Sequence, residues 1–79
     1  MNNVIIIGTI ISIKETVFEY TVVNMEIPSQ SGKYIIIPVV FPKVFEVPLH
    51  ETIAINGTLE YFCKELVVNC RKFIRIGGV

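Results

Sequence analysis

The sequence predicts an all-β chain folded as a small barrel of five strands. Three observations predict it. Isoleucine and valine dominate, β-branched residues suit strands, and no window carries helical periodicity. Pro28, Pro38, Pro42 and Pro48 punctuate the middle of the chain, where they oppose a long helix. Turn chemistry divides the chain into five runs of strand character, and the longest irregular segment follows the third.

The first strand is expected over Asn3 to Ile13. It is almost continuously apolar, so both faces are covered. Gly8 interrupts it, and a lone glycine in a strand marks a bulge or a bend. The second strand is expected over Val17 to Ile27. Thr21, Val23, Met25 and Ile27 form its inner face, and Phe18, Tyr20, Val22, Asn24 and Glu26 its wetter outer face. A polar turn over Pro28-Ser29-Gln30-Ser31-Gly32-Lys33 leads to a third strand over Tyr34 to Phe41. Pro38 cannot donate a ladder hydrogen bond, which puts this strand at an edge or a bulge.

From Pro42 to Glu51 the sequence allows a loop or one helical turn starting at Pro42, with Pro48 stopping it. The fourth strand runs over Thr52 to Phe62, with Ile53, Ile55, Leu59 and Tyr61 alternating. Asn56-Gly57 inside it reads either as a hairpin turn or as a bulge. The alternation that resumes after Gly57 favours the bulge. The fifth strand is expected over Leu66 to Ile76, joined by a tight Lys64-Glu65 turn and ended by Gly77-Gly78. Five strands with bends, and an irregular segment between the third and fourth, is the order of an OB-fold Greek-key barrel whose middle helix is reduced or absent. An SH3-like barrel also has five short strands, but it carries its long loop after the first.

Composition narrows the function. The 79 residues suffice for one domain, 1–79. With 52% hydrophobic residues, part of the apolar surface is expected at a subunit interface. No run approaches the roughly eighteen apolar residues of a membrane helix. Val4-Ile5-Ile6-Ile7 lacks the basic flank and cleavage site of a signal peptide, so a cytoplasmic protein is expected. Two cysteines, Cys63 and Cys70, and one histidine, His50, fall short of the roughly four ligands of a zinc site. The Lys64-Glu65 turn would pair Cys63 with Leu66 and set Cys70 opposite Leu59, too far apart for a disulfide. Both thiols are therefore expected to be buried and reduced. There is no aspartate, no paired-carboxylate signature and no phosphate-cradling glycine loop, so catalysis and cofactors are not expected. The formal net charge is zero, which limits phosphate affinity. Lys64, Arg71, Lys72 and Arg75 nevertheless gather in the last quarter of the chain.

Four segments carry a family resemblance. Met1-Asn2-Asn3-Val4-Ile5-Ile6-Ile7-Gly8-Thr9-Ile10 is similar to the opening of bacterial single-stranded-DNA-binding proteins. Val39-Val40-Phe41-Pro42-Lys43-Val44-Phe45-Glu46 resembles the family segment that ends the third strand and begins the helix. Ile55-Asn56-Gly57-Thr58-Leu59 resembles the fourth strand, and Leu66 to Gly78 the closing strand. The departures are a helix cut to a stub, a shortened last hairpin, no tryptophan, and no acidic tail before Val79. In size and in lacking the tail, the chain looks closer to the tail-less, dimeric primosomal replication proteins. The resemblance implies an OB-fold, a homodimer and single-stranded DNA as ligand; pairing of two dimers into a tetramer and a replication protein as partner stay open.

Binding a single strand takes aromatic faces for base stacking and cations along the phosphates. On an OB barrel these lie on the strand 2–3 face and the neighbouring loops. The candidates are Tyr20, Tyr34, Phe41 and Phe62 for stacking, and Lys33, Lys43, Lys64, Arg71 and Lys72 for charge. Phe41 matches a family position that contacts DNA. Phe18 and Phe73 are expected to pack in the core or an interface, and Tyr61 in the core. Glu19, Glu26, Glu60 and Glu65 cancel the cations unless they point elsewhere. Two functions follow. The first is single-stranded DNA binding (or RNA binding) in replication, recombination or mobile-element DNA metabolism, with a dimer formed through the isoleucine-rich first strand. The second is an OB-fold module that binds only a protein, such as a helicase or primase.

Overall fold

The computed structural model describes residues 2–76 and contains five strands: β1 (Val4–Val17), β2 (Tyr20–Pro28), β3 (Tyr34–Pro42), β4 (Thr52–Phe62) and β5 (Glu65–Arg75). The expected end of the last strand at Gly77-Gly78 lies outside the described residues. The strands close into a barrel in the order β1-β2-β3-β5-β4. All neighbours are antiparallel except β3 and β5, which run parallel. This is the OB-fold arrangement the sequence predicts.

The interior follows the two-residue period of the strands. Ile10, Val23, Met25, Val39, Phe41, Ile53, Ile55, Val68 and Cys70 are buried together. Where an OB-fold usually carries a helix, residues 43–51 form turns. The Phe45 amide donates to the Pro42 carbonyl at 2.9 Å, closing one turn. Phe45 and Val47 pack against the core, so the segment covers the barrel without a helix. Phe45 and Phe41 each meet Phe73 edge to face, with centroids 5.7 and 5.5 Å away. The segment is tied to β1 where the His50 amide donates to the Ile10 carbonyl at 2.7 Å.

Several local expectations need correction. β1 runs on to Val17, and Phe18-Glu19 is a two-residue turn into β2, because Val17 pairs with Tyr20. Phe18 is therefore a turn residue, 88% exposed, and not core packing. Gly8 keeps regular register with Ile53; β1 bulges lie further on, beside Ile11 and Lys14. What Gly8 provides is a close approach, since a Cβ there would collide with the Glu26 carbonyl.

Asn56-Gly57 is not a hairpin, and β4 is continuous. The register shift expected there is present, and its extra residue, Arg71, lies on β5. The last turn is Cys63-Lys64 and not Lys64-Glu65. Both turn residues have positive φ, 54° and 68°, as a type I′ hairpin requires. Phe62 then pairs with Glu65, and Cys70 sits opposite Gly57 rather than Leu59. Both thiols are free; Cys70 is buried, but Cys63 is exposed. Burial pushes the Cys70 thiol up to about 11, so it is an inert core group.

Tyr61 shares the strand face of Ile53 and Ile55, yet it is 79% exposed. The inner face of β4 leads out past the end of the barrel before reaching Tyr61. Pro38 stands where expected: it pairs with Asn24 of β2, while β5 joins β3 only from Val39 onward. Its missing N–H faces an open edge.

Phe41 is fully buried. Phe41→Ala should cost about 3–5 kcal/mol, through lost burial and the cavity left behind. That is a quarter or more of the roughly 4–12 kcal/mol expected of a domain this size. Urea unfolding followed by circular dichroism should show a strongly lowered midpoint. A midpoint like the parent's would contradict this core assignment.

Candidate nucleic-acid interface

A second apolar cluster forms outside the barrel. Val22 of β2, Val40 of β3 and Val67 of β5 are buried there, with Val17 and Phe62 packed against them. Val22 alternates with the core residue Val23, and Val40 with Val39, so this cluster occupies the outer side of the sheet. The β4–β5 hairpin supplies Phe62 and Val67. It therefore curls outward over β2 and β3 instead of continuing straight from the barrel. Each buried valine contributes roughly 1.5–3 kcal/mol. The Lys14 ammonium donates to both Glu65 carboxylate oxygens at 2.6 and 2.7 Å, tying the start of β5 to the bulged part of β1. That pair is solvent-exposed and adds at most about 1 kcal/mol, so the apolar contacts hold the hairpin.

The curled hairpin makes one wall of a groove. The Phe18-Glu19 turn and the Pro42–Phe45 turn make the other. The wider end, about 670 Å³, is lined by Phe18, Tyr20, Lys43, Val44, Phe45, Asn69 and Arg71, among others. That size falls in the range of small-ligand clefts, roughly 300–1,000 Å³. The narrower end is lined by Tyr20, Val40, Glu60, Phe62, Val67 and Asn69. Tyr20 and Asn69 belong to both ends, which makes the groove continuous. The Tyr20 and Phe62 rings meet edge to face, 5.6 Å between centroids. One ring is thus braced by the other, while Phe18 stands free at the rim.

The groove is mixed in charge. Lys43 and Arg71 line the wide end beside Glu19. In the narrow end, Glu60 Oε2 accepts from the Thr58 hydroxyl at 2.6 Å and from the Asn69 amide at 3.2 Å. The Arg71 guanidinium lies 3.9 Å from the same oxygen. The Thr58 and Asn69 hydrogen bonds, with help from Arg71, hold the Glu60 carboxyl below its ordinary range, so it is ionised at neutral pH.

Of the residues singled out in the sequence, Tyr20, Lys43, Phe62 and Arg71 come together in this groove. Phe41 does not: it is a core residue with no face open to a base. Lys72 stands apart from them: the Arg71 bulge turns it from the core side, where alternation with Cys70 would put it, to the outer face, where it lies beside Ile5, Asn56 and Ile74 and away from the groove. Lys64 is at the exposed tip of the β4–β5 hairpin. Lys33 and Tyr34 sit at the far end of the β2–β3 hairpin. Tyr34 pairs with Pro28, eight residues along β2 from Tyr20, or roughly 26 Å at strand spacing. The basic cluster expected in the last quarter is dispersed. Arg71 faces the groove, Lys72 the opposite side, and Arg75 pairs with Glu51 at 2.7 Å.

Phe18, Asn69 and Glu60 are the groove residues that sequence reasoning did not assign. Alternation along β5 already put Asn69 on the side of Val67 and Arg71. Nothing in the sequence showed that Phe18 occupies a turn. Among the described residues, no group of three or more metal-ligating side chains is found, and no helix is long and apolar enough to cross a membrane.

No family model matches the chain, and no curated protein matches it. Among solved structures, it is similar to a dimeric structure of the N-terminal domain of PriB protein from Thermoanaerobacter tencongensis. The TM-score is 0.72 at 16% identity, covering 98% of each chain. The fold is an OB-fold.

Proposed function

We propose that this chain binds single-stranded DNA in the groove between the β4–β5 hairpin and the β1–β2 turn, in replication, recombination or mobile-element DNA metabolism in the cytoplasm. One observation carries the reading. Three aromatic side chains, Phe18, Tyr20 and Phe62, gather with Lys43 and Arg71 on the OB-fold surface that suits an extended strand. Activity here is binding rather than catalysis. The replication setting is supported by the resemblance of the sequence to bacterial single-stranded-DNA-binding and primosomal replication proteins, and by the fold shared with the PriB domain. RNA offers the same π-faces and phosphates, so a matched ribo-oligonucleotide is the natural comparison. Lys33, Tyr34 and Lys64 would contact only a strand long enough to leave the groove.

Affinity here comes more from stacking than from charge. Two groove cations imply a shallow salt dependence, since each neutralised phosphate of a single strand contributes a slope of about −0.7. The second reading, a protein-binding module, is favoured by zero net charge and by Glu19 and Glu60 in the groove.

A homodimer is part of the proposal. The outer face of β1, β4 and β5 presents Ile5, Ile7 and Ile74, exposed by 73, 53 and 67%, around Ala54. Such a contiguous patch on a short chain is a natural subunit contact. A second copy is its proposed occupant, as expected from the isoleucine-rich first strand. Two such dimers pairing as a tetramer, and a replication protein as a further partner, extend the proposal.

Anisotropy of a labelled oligo-dT titrated at low and high salt tests the first reading. Saturable binding with a slope of about −1.4, and much weaker duplex binding, is expected. Tyr20→Ala or Phe18→Ala should weaken binding by about 1–3 kcal/mol, while Lys72→Ala should leave it unchanged. Absence of binding at low salt would reject this reading and favour the protein-binding module. Sedimentation equilibrium tests the dimer: Ile7→Glu should give a folded monomer. A parent chain that sediments as a monomer at high concentration would reject the dimer.

A further inference from the structure

The narrow end of the groove holds an acceptor that phosphate binding does not explain. Glu60 stands in that wall with Tyr20, Phe62 and Asn69. An ionised carboxylate there repels a phosphate, so the backbone of a bound strand runs instead along Lys43 and Arg71 at the wide end. What reaches the narrow end is then a base. The carboxylate is already oriented. Thr58 and Asn69 both donate to Oε2, and Arg71 approaches the same atom. Among the described residues, Oε1 has no hydrogen-bond donor. It is held by its neighbours and free to accept from a ligand.

The four bases present different groups to such an atom. Cytosine offers the exocyclic N4 amino group as donor, whereas thymine offers the O4 acceptor at the same ring position. The two pyrimidine rings have similar size, so stacking on an aromatic face of the groove separates them little. The carboxylate separates them by sign: attraction to N4–H, repulsion of O4. A carboxylate accepting from cytosine N4 is an established pairing in protein–DNA interfaces.

We infer that Glu60 reads a base edge through Oε1 and makes this groove prefer cytosine to thymine. The inference rests on the single-strand reading above and names the ligand chemistry of that same groove. Glu60 also supports the β4–β5 hairpin through Asn69, so loss of affinity alone would not separate reading from support. The ratio of two affinities does, because a structural role or simple phosphate repulsion changes both equally.

The test is anisotropy with labelled oligo-dC and oligo-dT of about ten nucleotides, within the span of one OB-fold, at neutral pH and the same salt. The parent chain should bind dC tighter than dT by roughly tenfold. Glu60→Gln keeps one oxygen to accept from Thr58 and Asn69, which turns its NH2 toward the ligand, where it donates to O4 and opposes N4–H. It should abolish the dC preference or reverse it, while the thermal melt stays close to the parent's. Equal or tighter binding of dT by the parent, or a dC preference that survives in Glu60→Gln, would overturn the inference and leave the single-strand reading standing. Failure of both oligonucleotides to bind would overturn the two together.

Discussion

Two residue pairs hold the barrel closed. β3 and β5 run parallel and share only Val39↔Val68 and Val40↔Asn69. On the inner side, Val39 and Val68 join the core. On the outer side, Val40 and Asn69 become part of the groove lining. The same short contact therefore sets both the packing and the candidate site. Parallel pairs are slightly weaker per residue than antiparallel ones, and two are few. The seam depends on what packs across it: Phe41 against Phe73 on the inside, and Val22, Val40 and Val67 on the outside. Where the seam ends, at Pro38, β3 has no β5 neighbour and no N–H to offer one.

A chain this short has little interior to spend on stability. It compensates in two places. The β3–β4 segment reaches the core with Phe45 and Val47 where a longer OB-fold carries a helix. The β4–β5 hairpin, turned by Cys63 and Lys64, folds back and buries a second set of apolar side chains against the sheet. That fold-back also narrows the surface on which an OB-fold takes a strand, leaving a groove in place of an open face. The charge balance fits such a groove. With Lys43 and Arg71 set against Glu19 and Glu60, the electrostatic pull on phosphates is small, and recognition shifts toward base faces and edges.

Much of the fold was legible because strand period and turn chemistry act locally. Thr52–Phe62 could be marked from alternation, Ser29–Lys33 from turn residues, and the absent helix from Pro42 and Pro48. The site was harder, because it depends on where alternation breaks. Phe18 reads as a strand residue until the Val17↔Tyr20 pairing shows that it is the turn. Tyr61 reads as core until β4 is seen to pass the barrel's end. Arg71 and Lys72 would face opposite sides of a regular strand, yet the bulge leaves both on the outer surface, one in the groove and the other beside Ile5 and Ile74, and no one-dimensional pattern marks which strand takes the extra residue. Phe41 shows the converse. Its match to a family binding position pointed outward, while its own strand parity, shared with Val39, pointed inward.

The most direct measurement is a map of amide shifts by nuclear magnetic resonance as a short single-stranded oligonucleotide is added. If the groove is the ligand site, the perturbed amides should cluster at Phe18–Tyr20, Lys43–Phe45, and along the β4–β5 hairpin from Glu60 to Arg71. Amides of Ile5, Ile7, Ala54 and Ile74 on the opposite face should stay in place. Perturbations centred on that opposite face, or none in the groove under saturating strand, would contradict the assignment of the groove as the binding surface.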